Sequence, residues 1–230
     1  MIEPVRALLL DAGNTLVFLD HAAIAEVAAR EGVRVDPAAL ARVEGVAKRR
    51  YEALMASGVS HAEGWGLYLV TLLEEAGVER ARAEALVAPL RAAHDAFNLW
   101  RRVPDGLIDA LARVRAHGVR VAVVSNSEGM LPALFERVGL AEHIELVVDS
   151  HHEGVRKPDP ELFRRALARM GVDAKDAIYL GDIPGVDVVG ANAAGIRAVL
   201  VDTLGFYPDH DASPRVGSVV EWIDAYLASV

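Results

Sequence analysis

The sequence predicts an α/β protein, a doubly wound parallel sheet core carrying an inserted α-helical domain. Three observations support this. Five short apolar runs are separated by helical patterns, a long helix-rich stretch interrupts the alternation after the first run, and chemically reactive side chains fall just after a run or ahead of a helix.

The apolar runs lie at residues 7–10, 119–124, 144–148, 177–180 and 196–201. Each is rich in Val, Ile or Leu and none alternates cleanly with polar residues, as expected of parallel strands covered by helices on both faces. Helical patterns such as 161–170 and 187–194 fall between them. Strand and helix alternating through short connections describe an open, doubly wound sheet.

Between the first and second runs the pattern changes. Ala-, Leu-, Glu- and Arg-rich segments near 21–31, 37–56, 62–76 and 79–98 read as helices, separated by breakers at Gly32, Gly58 and Gly77. The expected organisation is a core of residues 1–18 and 99–230, with a helical domain at 19–98 inserted into it.

At 230 residues the chain can bury one substantial core and a smaller attached domain. A net charge of -9 disfavours nucleic acid or an anionic membrane as partner, because both need a basic footprint. It leaves room for a phosphorylated small molecule, since a few local cations and a metal can govern a small site. The absence of cysteine excludes disulfides, thiol nucleophiles and Cys-based zinc sites. The opening MIEPVRALLLDAGNTL has no signal-peptide shape, and no apolar run approaches the ~18 residues needed to span a bilayer. A soluble cytoplasmic protein is therefore expected; monomer and homodimer both fit.

Four pieces carry chemistry. The first is Asp11-Ala-Gly-Asn-Thr15, directly after the first run. Ligands of open α/β sheets gather at the carboxyl ends of strands, and an aspartate there can attack phosphorus. The plain alternative is a turn or helix-capping aspartate. Ser125-Asn126 follows the second run, where a hydroxyl and backbone N–H groups can hold a phosphoryl oxygen; Ser and Asn are also ordinary turn residues.

The third piece is Lys157, within Arg156-Lys-Pro-Asp-Pro160. The chain has three lysines against 21 arginines, so a lysine in a loop before a helix stands out as a neutraliser of nearby negative charge. Pro160 suits the first helical turn. The fourth is Gly181-Asp182-Ile-Pro-Gly-Val-Asp187, two carboxylates after one strand with glycines allowing close approach, a combination that suits Mg²⁺. Asp187 also suits a helix start, favoured by the dipole.

Taken in order, DAGNTL, VVSN, KPDP and GDIPGVD resemble the haloacid dehalogenase-like hydrolases, in the branch with a helical cap inserted after the first motif. The resemblance covers residues 5–17 and 103–202; the cap is similar only in position and helical character. It implies a Rossmann-like core and a phosphatase acting through an aspartyl-phosphate on Asp11. Mg²⁺ would be held by the Asp11 carboxylate, the Gly13 carbonyl and Asp182, with Asp187 supporting the metal waters and Lys157. Ser125, Asn126 and Lys157 would bind the phosphoryl group, and the cap would close over the substrate and help select it.

One position departs from the resemblance. Phosphatases of this kind usually carry a second aspartate two residues after the nucleophile as general acid and base, and here that residue is Gly13. Such catalysis is worth roughly 10²–10⁴-fold, or roughly 3–5 kcal/mol of barrier. A cap residue (His21, His61 or Asp20) could replace it, the leaving group could need little protonation, or the chemistry could differ. Glycine could also be a backbone requirement. Metal-free haloacid dehalogenation is one alternative, although GDIPGVD looks like the metal-binding version of the motif. Phosphonate C–P hydrolysis needs a cap lysine, and Lys48, in AKRRYE, reads equally well as part of a solvated helix face. A non-catalytic binding protein is opposed by the presence of Asp11, Lys157, Asp182 and Asp187 together. Trp65, Tyr68, Trp100 and Arg101 are candidate pocket residues, with core packing or surface placement as the plainer expectation.

Overall fold

A computed structural model describes residues 4–59 and 61–230 and divides the chain into two compact units. One unit comprises the chain up to Leu19 together with Trp100–Val230; the other is Asp20–Leu99.

The first unit holds strands β1 (Ala7–Leu10), β2 (Phe18–Leu19), β3 (Trp100–Arg102), β4 (Arg120–Ser125), β5 (Leu146–Asp149), β6 (Ala177–Gly181), β7 (Arg197–Val201) and β8 (Arg215–Val216). Among the described residues, six of them form one parallel sheet in the order β5-β4-β1-β6-β7-β8. β1 therefore lies between β4 and β6, with Leu10 level with Val123 on one side and Leu180 on the other. The chain order reverses at β1, which makes its carboxyl end a topological switch point where ligands bind. All four β1 residues are buried, which explains why the run does not alternate.

The sequence pattern did not anticipate β2, β3 or β8. β2 and β3 form a small antiparallel pair in which Leu19 faces Trp100, so the helical insertion begins and ends on a ribbon. Two-residue strands carry too little periodicity to register in a sequence.

The core between sheet and helices is set by α8 (Pro160–Met170), counted after the helices Leu107–Ala116 (α5), Leu131–Arg137 (α6) and Ser150–Glu153 (α7). Asp159 caps α8, accepting the Glu161 N–H at 2.9 Å, and Pro160 takes the first helical position as expected. The helix buries Leu162, Phe163, Ala166, Leu167 and Met170 against Leu9, Val124, Tyr179 and Leu200. The predicted helix at 187–194 is shorter. A wide π-helical turn, Pro184–Val188, comes first and α9 (Val189–Ala193) follows. The last helix, α10 (Val219–Leu227), stacks Trp222 on Tyr226, whose hydroxyl accepts the Val5 N–H at 3.2 Å.

The second unit consists of α1 (His21–Arg30), α2 (Pro37–Ala56), α3 (His61–Glu75) and α4 (Arg80–Ala96). The breakers Gly32, Gly58 and Gly77 fall just after α1, α2 and α3. Asp20, Asp36 and Glu79 cap α1, α2 and α4 through their carboxylates. No helix among the described residues is long and apolar enough to cross a membrane.

Leu9 is fully buried on the central strand. Leu9→Ala should therefore lower unfolding free energy by about 2–5 kcal/mol, read from urea denaturation with an unchanged m-value. A loss below about 1 kcal/mol would mean that β1 is not the centre of the core.

Candidate active site

The site is built at the carboxyl ends of β4, β1 and β6. Asp11 is the first residue past β1, and its N–H still bonds the Leu180 carbonyl at 2.9 Å, so the ladder with β6 fixes its backbone. The chain then turns tightly. The N–H groups of Leu16 and Val17 return to the Ala12 carbonyl at 2.9 and 3.0 Å, and Asn14 bonds Val17 at 2.8 Å. Asn14 takes the left-handed conformation this turn requires, with φ 52°.

Gly13 does not have a positive φ, and a Cβ placed on it would meet only Trp100 Cδ1, at an ordinary 3.8 Å. A backbone requirement is thus not the reason for glycine here. The strained position of the turn is the next residue.

Ser125 is the buried last residue of β4, level with Asp149 on β5. Asn126 does something the sequence did not reveal. Its Oδ1 accepts the Lys157 N–H at 2.8 Å and its Nδ2 donates to the Lys157 carbonyl at 2.9 Å. Both polar atoms of this side chain hold the Lys157 backbone, leaving the second Nδ2 proton and the main-chain N–H to meet a ligand.

Lys157 is 5% exposed and reaches three acceptors: Asp11 Oδ1 at 2.7 Å, Asp187 Oδ1 at 2.7 Å and the Tyr179 hydroxyl at 2.8 Å. It is not a solvated loop lysine. Burial opposes its charge, yet the attraction of Asp11 and Asp187 outweighs that and holds the ammonium above its ordinary range.

Asp182 follows β6 directly and is buried. Asp187 lies in the turn Pro184–Val188, where its Oδ2 accepts the Ile183 N–H at 2.9 Å. Its other oxygen takes Lys157 and Tyr179, so both carboxylate oxygens are already hydrogen-bonded. Gly181 is glycine because Asp187 folds back against it; a Cβ there would stand 2.4 Å from the Asp187 carboxyl carbon.

Asp11, Asp182 and Asp187 each bring one oxygen within 4.8 Å of the others, and all three are buried. Burial pushes the Asp11 carboxyl up to about 6; Lys157 pulls it down, while Asp187 and Asp182 push it further up. Asp11 and Asp187 share the Lys157 ammonium, and Asp182 adds a third buried carboxylate beside them. Buried carboxylate oxygens gathered this closely are the donor type that a hard divalent cation takes, and Mg²⁺ fits them.

Tyr179 is the residue that sequence reading missed. Its hydroxyl lies 2.8 Å from Asp187 Oδ1 and 3.2 Å from the Val124 carbonyl, and burial, with Asp187 and Asp11 beside it, raises its pKa well above the ordinary range. The available signal was a lone hydroxyl-bearing side chain inside a wholly apolar strand, since buried tyrosines find a partner for that group.

The candidates in the helical unit resolve differently. Asp20 caps α1, accepting the Ala23 N–H at 3.0 Å. His21 Nε2 stands 2.9 Å from Glu44 Oε2, within ion-pair reach though not aligned as a hydrogen bond. The side chain of His61 lies outside the described residues. Lys48 is buried, 6% exposed, and 3.9 Å from Glu52, so the expectation of a solvated face is overturned. Trp65 and Tyr68 are buried in the interior of this unit, while Trp100 and Arg101, in the first unit, are half-buried.

Comparison with known proteins follows the same lines. A model of the haloacid dehalogenase-like hydrolases matches residues 5–195. The human haloacid dehalogenase-like hydrolase domain-containing protein 3 is 32% identical over 208 residues, covering 86% of this chain and 82% of that one. A phosphoserine phosphatase of Thermus thermophilus is 41% identical over 157 residues, covering 65% of this chain and 59% of its own length. A magnesium-bound Bacillus subtilis protein described as a HAD-hydrolase has a similar fold, with a TM-score of 0.70 at 19% identity over 99% of this chain and all of that one. The family match over residues 5–195, together with a 32% identical relative covered over most of its length, places this chain among the haloacid dehalogenase-like hydrolases.

Proposed function

We propose that the protein is a Mg²⁺-dependent phosphatase that cleaves a phosphorylated small molecule through an aspartyl-phosphate on Asp11. The observation that carries this reading is the buried Asp11 carboxylate held by Lys157 at 2.7 Å beside two further carboxylates. Relatives named as phosphoserine and phosphoglycolate phosphatases support a phosphate monoester as substrate. The three-carboxylate cluster disfavours metal-free dehalogenation.

In this reading an Asp11 oxygen attacks phosphorus while the bond to the leaving oxygen breaks and that oxygen departs with the electron pair. Water then attacks the phosphoryl-aspartate, releasing inorganic phosphate and restoring the carboxylate. Lys157 offsets the charge of Asp11 and, with Ser125 and Asn126, holds phosphoryl oxygens. Asp11, the Gly13 carbonyl and Asp182 are the assigned cation ligands, with Asp187 supporting from behind because its oxygens are already bonded. Mg²⁺, when bound, supplies the positive charge that lets a carboxylate and a phosphate dianion approach each other. Substrate choice is assigned to the inserted helical unit.

Turnover of p-nitrophenyl phosphate should require Mg²⁺ and vanish in excess EDTA. Asp11→Asn should abolish it in a protein of unchanged circular dichroism, because an amide is not a usable nucleophile. Full activity in EDTA would overturn the phosphatase reading; full activity of the variant would reduce Asp11 to a ligand.

The raised Asp11 pKa gives a second test. The folded protein without metal binds this proton more tightly than the unfolded chain, whose aspartates titrate near ~3.9. The stability it contributes is complete below that value and is lost as pH rises through about 6. Above that pH the bare cluster is strained by its own charge, and a cation relieves it. Mg²⁺ at roughly 100 times its Kd should therefore raise Tm by about 5–10 °C at pH 7.5, and by clearly less at pH 5. Equal shifts at both pH values would place the cation elsewhere.

Because the backbone at Gly13 accepts a side chain, Gly13→Asp should fold with a Tm close to the parent. Its turnover of alkyl phosphates should rise, by up to ~10²-fold, if no other acid already serves the reaction. A folded variant with no gain, alongside a parent whose rate hardly depends on leaving-group pKa, would show that the acid comes from elsewhere in the protein.

A further inference from the structure

The Tyr179 hydroxyl stands where three strands and the Lys157 loop meet. It lies 2.8 Å from Lys157 Nζ, 2.8 Å from Asp187 Oδ1 and 3.2 Å from the carbonyl of Val124 on β4. A phenol has one proton to give and lone pairs to accept, whereas an ammonium can only give. The hydroxyl therefore accepts from Lys157 and directs its own proton to Asp187 or to Val124.

The lysine side of the count closes as well. Nζ has three protons, and three acceptors lie within 2.8 Å: Asp11 Oδ1, Asp187 Oδ1 and the Tyr179 hydroxyl. Remove the hydroxyl and one N–H of a wholly buried ammonium loses its partner, an expensive state that the side chain would relieve by moving. Packing alone does not call for the hydroxyl. The ring already meets Phe163 edge-on at 4.9 Å, and phenylalanine would fill the same volume.

We propose that Tyr179 is a positioning residue: its hydroxyl takes the third donor of Lys157 and so holds the ammonium against Asp11. It touches no reacting atom and acts only through the lysine. The rate measurements that follow rest on the phosphatase reading; the unfolding measurement does not.

Tyr179→Phe should lower kcat for p-nitrophenyl phosphate roughly 10–100-fold, the usual consequence of removing a supporting hydrogen bond behind a site residue. KM should stay within about two-fold, since orientation rather than ground-state binding is lost. In a Lys157→Ala background the same change should alter kcat by less than about two-fold, because its route of action is already gone. Phe163→Leu serves as the packing control, lowering Tm while keeping kcat within about two-fold. A Tyr179→Phe kcat within two-fold of the parent, an effect on KM alone, or an equal loss with and without Lys157 would each overturn the proposal. If the parent hydrolyses no phosphate ester, the phosphatase reading falls and urea unfolding of the parent, Tyr179→Phe, Lys157→Ala and the double variant decides. Non-additive Tyr179 and Lys157 losses then support the positioning role and additive losses overturn it.

Discussion

The ion cluster around Lys157 is the constraint on which the rest of the site depends. Three carboxylates are gathered at the end of a sheet whose walls are Leu, Val and Ile, where an unpaired charge is costly. One ammonium bridges two of them at 2.7 Å, and the positions of Asp11, Tyr179 and Asp187 are all set by the need to meet it. The surrounding chain serves that geometry. Asn126 brackets the lysine backbone from β4, and Gly181 lets Asp187 lie flat on β6. A ladder bond from the Asp11 N–H to the Leu180 carbonyl pins Asp11. Such a cluster contributes little net stability, because desolvation offsets the Coulombic gain. Its arrangement is accounted for by the nucleophilic role proposed for Asp11.

The parts of this design that were legible in the sequence are those in which one residue type has few physical uses. Apolar runs without alternation read as doubly covered strands, and all five are there. Residues just past such runs gather at one edge once the strands are parallel, so Asp11, Ser125 and Asp182 were readable as neighbours of that edge from order alone, and Lys157 from its place in a loop ahead of a helix. Elements that depend on side-chain direction or long-range pairing were not. The β2–β3 pair joins residues roughly eighty positions apart in the chain through strands too short to show a period. Asn126 and Tyr179 each have several ordinary uses, as a turn residue and as a core ring, and only the position of Lys157 selects one of them.

The helical unit shows the same limit from the other direction. The pattern placed its helices within a few residues, because caps and breakers are local signals. It did not place Lys48, whose surroundings on the sequence are charged although the side chain is buried. Glu44, beside His21 and 3.5 Å from the Tyr68 hydroxyl, is likewise buried. Burial of polar groups inside a small bundle follows from which faces pack, and a charge run alone does not encode that.

Gly13 and Asn14 divide between them two demands that a single glance at the sequence runs together. The turn after β1 needs one left-handed residue, and Asn14 supplies it, asparagine being among the few non-glycine residues that tolerate the conformation. Gly13 is left with ordinary backbone angles and ordinary space, the Trp100 indole edge being the sole neighbour at 3.8 Å. The missing carboxylic acid is thus not a concession to folding. A side chain could stand there, and its absence has consequences for chemistry alone: the turn offers Asp11 a close backbone and no proton donor. In the phosphatase reading, Asp11 in this strand-end turn and Lys157 in the loop before α8 are present without an acid at position 13. That reaction then draws its proton from another group, or uses a leaving group stable enough to depart as the anion.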